Sequence, residues 1–199
     1  PYLKMINVLD KIIKKSKHTF DYVDLGGGIG IQYEGKTKSF NYKRYNSAIK
    51  NFLGKHNVKI IFEPGRSIIA NCAVLFAQII YIKNTNKKRF VILDAAMNDL
   101  MRPALYGAYH RIIPLLKTNK KNDQIHDFVG PVCETTDKFL SVAGFQNLKE
   151  KEFVAISDVG AYGMSLSSNY NLRPKPLEIM VDNKSLKVIL KRQKLLNII

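Results

Sequence analysis

Tryptophan is absent from this 199-residue sequence, cysteine occurs twice, histidine four times, and acidic residues number half the basic ones. Each scarcity excludes something. Two cysteines, Cys72 and Cys133, cannot build the disulfide framework of a small secreted domain, so a reducing cytoplasmic location is expected. No apolar run reaches the roughly 18 residues that a membrane-spanning helix needs, and no membrane partner is expected. Residues 1–17 carry lysines scattered along an amphipathic repeat, which is not the pattern of a secretory signal. The four histidines have no ligand-like spacing, so no metal site is expected. There is no internal repeat and no low-complexity tract. Pro1 is not an initiating residue, and the sequence is expected to be a segment of a longer chain.

What is abundant is positive charge, a formal +16 from 32 Lys and Arg against 16 Asp and Glu. Such a balance suggests nucleic acid. Lysine, however, supplies 25 of the 32 basic residues and is dispersed through every segment, with no arginine-rich stripe. The charge reads as solvated surface, and no nucleic-acid partner is expected. With 46% hydrophobic residues the chain can bury a sizeable core in one or two domains.

Leu3, Ile6, Leu9, Ile12 and Ile13 recur at helical spacing and predict an opening amphipathic helix. Phe20 to Leu25 reads as a strand, stopped by Gly26-Gly27-Gly28-Ile29-Gly30. A second helix follows Asn41, its expected cap, with Tyr45, Ala48, Ile49 and Phe52 on one face. Val58 to Phe62 is a wholly apolar run of the kind found in strands buried on both faces. It ends in Glu63-Pro64-Gly65-Arg66. This alternation is the rhythm of a (β/α) barrel, whose chemistry sits at the strand C-termini. After a helix expected over Ile68–Ala77 the rhythm changes. Strands are expected at 76–82, 90–93, 153–156, 177–181 and 186–190, mostly antiparallel. The boundary is placed near residue 70, giving an α/β segment over 1–69 and a β domain over 70–199.

One string demands a decision. Residues 30–37 read GIQYEGKT and satisfy the phosphate-loop pattern, and Phe90 to Asp94 could be the strand whose terminal Asp holds magnesium. A true phosphate loop starts its helix at the Gly-Lys-Thr, so that amides and helix dipole converge on the phosphates. Here the helical pattern resumes only after Asn41. A P-loop nucleotide hydrolase through Gly30–Thr37 is therefore the disfavoured alternative. The dinucleotide fingerprint fails as well, since its third glycine would fall on Ile31.

Five stretches remain to be read together: DLGGGIG (24–30), FEPGR (62–66), DAAMNDLMRPALYGAYH (94–110), GPVCETTD (130–137) and DVGAYGMSLSSNYNLRP (158–174). In order and spacing they resemble the diaminopimelate decarboxylases, fold type III pyridoxal-phosphate enzymes. The resemblance covers nearly the whole chain. Sister decarboxylases of ornithine, arginine or a carboxylated polyamine are the nearer alternative, but those of ornithine and arginine lack the MRPALYGAYH string. The fold it implies is the C-terminal part of a (β/α)8 barrel of the alanine-racemase type, followed by a mostly antiparallel β-barrel or sandwich domain. The activity it implies is decarboxylation of meso-2,6-diaminopimelate to L-lysine, the last step of lysine biosynthesis, with pyridoxal 5'-phosphate as cofactor.

The resemblance also assigns residues. Gly26, Gly27 and Gly28, with Pro64, Gly65 and Arg66, would hold the cofactor phosphate. Glu63 would face its ring nitrogen. Arg66, Arg102, Tyr106 and Glu134 would bind the substrate, and Tyr162 would touch both substrate and cofactor phosphate. Arg102 and Tyr106, four apart, are expected on one face of a short helix. Cys133 would donate the proton that replaces the departing carboxylate, from a loop that reaches into the second subunit of a homodimer. Cys72 is expected to be an ordinary small buried residue, and His110 to be structural. The lysine that carries the cofactor in this family matches none of the 25 present, so it is expected upstream and the segment alone is expected to be inactive.

Overall fold

The opening periodicity becomes α1 (Tyr2–Lys15), whose Ile6 is buried while Lys4, Lys11 and Lys14 face solvent. In the computed structural model residues 1–33, 39–118 and 120–198 are described, and they divide into two compact units, Pro1–Ile68 and Ile69–Ile199.

The first unit continues with β1 (Tyr22–Asp24), α2 (Tyr42–Leu53) and β2 (Lys59–Ile61). Asn41 caps α2 as expected, its Oδ1 accepting the Arg44 amide at 2.9 Å. The two strands pair in parallel, Tyr22 opposite Lys59 and Asp24 opposite Ile61. Ile6, Val23, Leu25, Tyr45 and Phe52 form the core between helices and strands. Burial of Val58–Phe62 on both faces is not met in this chain. Ile61 and Phe62 are 44% and 46% exposed, because the helices pack on only one face of the strand pair.

The second unit begins where α3 (Arg66–Ile69) gives way to a 3-10 turn, Ala70–Cys72. The helix expected over Ile68–Ala77 is thus confined to its first residues. Ala73 is already extended (φ −135°, ψ 151°), and the β-branched and aromatic residues that follow join a ladder instead. That ladder contains β3 (Leu75–Asn84), β4 (Lys88–Leu93), β5 (Ile112–Pro114), β6 (Lys121–Val129), β7 (Lys138–Gln146) and β8 (Phe153–Ile156). A short helix, α4 (Arg102–Tyr106), lies between β4 and β5 in sequence. The strand order is β5-β8-β3-β4-β6-β7, antiparallel except for the parallel pair β4–β6, so the sheet is mixed. Ile79, Val91, Leu93, Phe128, Val154 and Ile156 fill its core. A separate antiparallel hairpin of β9 (Glu178–Asp182) and β10 (Ser185–Leu190) follows, and its residues are largely exposed. No helix among the described residues is long and apolar enough to cross a membrane.

Strands β5, β6 and β7 were not expected from sequence. In β6 the cause is two buried polar residues, His126 and Asp127, which interrupt the apolar pattern. Asp127 is compensated by Lys88 Nζ at 2.9 Å and by the Ser141 hydroxyl. His126 shares its Nδ1 hydrogen with the Gln124 carbonyl and packs on Phe128 and Phe145, while its Nε2 is buried without a partner among the described residues. Burial holds the pKa of His126, and that of fully buried His110, below the ordinary histidine value.

The consequence for stability has a definite sign. Below about pH 6.5 the unfolded imidazoles take up protons that the folded ones refuse, so stability falls as pH falls. Each histidine contributes a slope of at most about 1.4 kcal/mol per pH unit. The urea midpoint of the full-length protein is expected to be lower at pH 5 than at pH 7, and less so in His126→Phe. An unchanged or higher midpoint at pH 5 would contradict this.

Candidate functional site

In the first unit the end of β1 and the end of β2 meet backbone to backbone. Leu25 donates its amide to the Ile61 carbonyl at 3.0 Å, and Glu63 donates its amide to the Gly26 carbonyl at 2.9 Å. Gly26 and Gly28 have φ of +63° and +79°, the left-handed region that glycine enters without strain. Gly27 is glycine for another reason. A Cβ there would lie 2.0 Å from the Glu63 carbonyl oxygen, so only a hydrogen fits where the two loops touch. The Gly26 amide donates to Asp24 Oδ1 at 2.7 Å, whereas the Gly27 and Gly28 amides donate to nothing among the described residues. The carboxylate of Glu63 is exposed and has no hydrogen-bond partner among them either. Two N–H groups without a partner among the described residues, on a turn with no side chains, are donors suited to an anion, and the Glu63 carboxylate is an acceptor suited to a protonated group. Pro64 and Gly65 are exposed and Arg66 opens α3 half-buried.

In the second unit the three remaining stretches are tied together at residues 94–99. Asp137 is 3% exposed and accepts two amides, from Met97 at 2.7 Å and from Val132 at 2.8 Å. Its own carbonyl accepts the Gly130 amide at 3.0 Å, and a Cβ on Gly130 would collide with its carboxylate. Asp137 thereby shapes the GPVCETTD loop from below and leaves Cys133 and Glu134 exposed on top. Replacing Asp137 with Ala strands one buried and one part-buried donor. The expected cost is about 3 kcal/mol, read as a lower urea midpoint and as proteolytic cleavage within residues 130–137. An unchanged midpoint would show that water satisfies those amides.

The fifth stretch is fastened to the same place. Ser168 donates its amide to the Asn98 carbonyl at 3.0 Å, and Arg173 donates Nε to Asn98 Oδ1 at 2.9 Å. Tyr170, which sequence reasoning did not single out, donates its hydroxyl to Glu134 Oε2 at 2.7 Å. Thr136 donates to the other oxygen, Oε1, at 2.8 Å. These two donors, Tyr170 first, hold the Glu134 carboxyl below its ordinary value, and the Tyr170 phenol is raised in turn. Nothing in composition distinguishes Tyr170 from a solvated tyrosine. Its only sequence signal was its position inside the SSNYNLRP run.

Arg102 and Tyr106 share α4, with Pro103 in its first turn and Gly107 ending it at φ +59°. The helix does not present them together. Arg102 is 6% exposed and Tyr106 65%, because the Arg102 guanidinium turns inward to His110 Nε2 at 3.1 Å. His110 Nδ1 donates to the Ser157 carbonyl at 2.9 Å, which leaves Nε2 as the acceptor for Arg102. His110 therefore sits where a structural residue is expected, with a partner among the candidates.

Tyr162 is half exposed and holds a left-handed φ of +60° between Gly160 and Gly163, neither of which has room for a Cβ. It is not a core tyrosine. Cys72 departs from expectation, since it is exposed on the 3-10 turn instead of buried in a helix. Residues 34–37 of GIQYEGKT lie outside the described residues. Asp94 Oδ1, the other half of that reading, accepts the Gln78 amide at 2.8 Å. No cluster of His, Cys, Asp or Glu able to hold a metal occurs among the described residues.

Residues 6–160 match the family described as pyridoxal-dependent decarboxylase, C-terminal sheet domain, and the chain belongs to that family. Its relatives include diaminopimelate decarboxylases. That of Aquifex aeolicus is 39% identical over 192 residues, covering 96% of this chain and 45% of its own length. That of Zymomonas mobilis is 43% identical over 182 residues, covering 91% and 43%. The crystal structure of the Helicobacter pylori enzyme complexed with L-lysine superposes with a TM-score of 0.85 at 40% identity, over 99% of this chain and 48% of that one. The chain thus spans a little under half the length of the relatives it matches. A viral arginine decarboxylase, 20% identical with a TM-score of 0.73, shares the fold.

Proposed function

We propose that this chain is the C-terminal portion of an enzyme that decarboxylates meso-2,6-diaminopimelate to L-lysine with pyridoxal phosphate. One observation carries the reading: the Glu63 loop and the triple-glycine turn touch through backbone atoms, Glu63 N to Gly26 O at 2.9 Å. The first unit, two parallel strands with their helices, is then the closing part of a (β/α)8 barrel, and the second is the β domain that follows it. Both chemistries at the strand ends fit the cofactor. The Gly27 and Gly28 amides, helped by the backbone at Pro64, Gly65 and Arg66, bind its phosphate. The Glu63 carboxylate keeps a proton on the ring nitrogen.

Pyridoxal phosphate supplies the electron sink for the bond pair left when carbon dioxide departs. The remaining work belongs to this chain's residues. Arg66 and Arg102 bind the substrate carboxylate by charge, Arg102 from a guanidinium that His110 holds in place. Glu134 accepts the distal ammonium, the Tyr106 hydroxyl contacts the substrate, and the Tyr162 hydroxyl contacts both the substrate and the cofactor phosphate. The Cys133 thiol delivers a proton to the substrate α-carbon. The family resemblance further implies a homodimer in which the exposed loop carrying Cys133 and Glu134 enters the partner subunit's site.

The test is a panel assay of the full-length enzyme. Carbon dioxide release from meso-diaminopimelate, and far slower release from ornithine and arginine, supports the proposal. Activity confined to substrates without a distal carboxylate would overturn it.

A further inference from the structure

The Glu134 carboxylate is held by two hydroxyls, one local and one from far along the chain. Thr136 is two residues away, in the same loop, whereas Tyr170 belongs to the 3-10 turn Tyr170–Leu172. That turn is unusually constrained for an exposed segment. Asn171 and Leu172, the residues after Tyr170, both take left-handed φ angles, 58° and 55°. A leucine there is rare, and such strain persists only where the surroundings enforce it.

The surroundings do enforce it. On one side Ser168 and Asn98 exchange hydrogen bonds, the Ser168 amide to the Asn98 carbonyl and Asn98 Nδ2 to the Ser168 carbonyl at 3.3 Å. Inside the turn, Asn169 Nδ2 donates to the Arg173 carbonyl at 2.9 Å and to Gln193 Oε1 at 2.7 Å. On the far side Arg173 reaches Asn98 and lies 3.6 Å from Asp99. The Glu134 loop is fixed to the same platform through Asp137 and the Met97 amide. Tyr170 and Glu134 therefore meet from two segments that are each anchored at residues 97–99.

We infer that Tyr170 is a positioning residue for substrate recognition: its hydroxyl orients the Glu134 carboxylate so that the remaining lone pairs face the substrate's distal ammonium. The inference rests on the proposed role of Glu134. A free glutamate rotates about three side-chain torsions, and one local donor fixes one oxygen only. A donor on each oxygen fixes the plane of the carboxylate and still leaves each oxygen able to accept from an ammonium. The same hydrogen bond also favours the ionised form of the group, the form a cation ligand needs. Tyr170 touches neither the reacting carbon nor the cofactor in this account, so its loss acts on binding more than on chemistry.

The experiment uses the full-length enzyme with meso-diaminopimelate and three variants, Tyr170→Phe, Glu134→Gln and the double variant. Phenylalanine keeps the ring and removes only the donor. Tyr170→Phe is expected to raise KM about fivefold to tenfold, with kcat changed less than about threefold. Glu134→Gln is expected to raise KM more, and adding Tyr170→Phe to it to change KM less than twofold, the signature of a residue acting through another. If Glu134→Gln raises KM but Tyr170→Phe leaves it at the wild-type value, the positioning role is overturned while the site assignment survives. If Tyr170→Phe raises KM equally with and without Glu134, the role is overturned in the same way. If Glu134→Gln itself leaves KM unchanged, the assignment of Glu134 fails and this inference fails with it.

Discussion

Glu63→Gln in the full-length enzyme is expected to lower kcat about 100- to 1000-fold, the size of effect that follows removal of one preorganised charge partner. Glutamine preserves size and a hydrogen-bonding oxygen, yet it cannot keep a proton on a ring nitrogen by charge, so the electron sink weakens. The fold should be indifferent. Glu63 is exposed and its carboxylate holds no hydrogen bond among the described residues, so the midpoint of thermal unfolding is expected to stay where it is. The contrast separates the proposed role from that of a structural ion pair, which would lose stability and keep activity. Normal kcat with a lowered melting temperature would reverse the assignment.

The second large effect is expected at Cys133. Cys133→Ala should reduce turnover about 100- to 10,000-fold, the range for loss of a positioned acid. Cys133 is exposed on a loop whose shape is set by buried Asp137, not by the thiol. Substrate KM and the urea midpoint should therefore change little. Cys133→Ser is expected to recover part of the rate, because a hydroxyl can deliver a proton but is a much weaker acid than a thiol. Cys72→Ala, also exposed, is the control and should behave as wild type. Equal losses at the two cysteines would remove the proton-donor role from Cys133.

How far the sequence could be read depended on which interactions are local. Helix α2 was legible because its periodicity and its cap, Asn41, lie within one stretch. Strand β8 was legible at its full extent, Phe153 to Ile156, because four consecutive apolar residues have no competing interpretation. Strand β6 was not, since the residues that mark its buried face include His126 and Asp127, whose compensation comes from Lys88 and Ser141 on neighbouring strands. The segment after Ile69 misled for the opposite reason. Its apolar residues suit a helix as well as a strand, and pairing of Leu75 with Ile156 decided between them across 81 positions.

The candidate site divides in the same way. The triple glycine and Glu63 could be named because a strand end and a glycine run are local signals, and the structure brings their backbones into contact. Arg102 and Tyr106 could be named from the MRPALYGAYH string, but their different depths follow from His110, which the folded chain holds against Arg102 through the Ser157 carbonyl. Asp137 and Tyr170 act through residues 40 and 36 positions away, at Met97 and Glu134, and their roles have no short-range signature.

A crystal structure of the full-length enzyme with pyridoxal phosphate bound is the measurement closest to the core of this account. The expected result is a Glu63 carboxylate oxygen about 2.6–3.2 Å from the pyridine nitrogen, with phosphate oxygens accepting the Gly27 and Gly28 amides. A cofactor whose phosphate sits away from the glycine turn, or whose ring nitrogen faces any group other than Glu63, would contradict it.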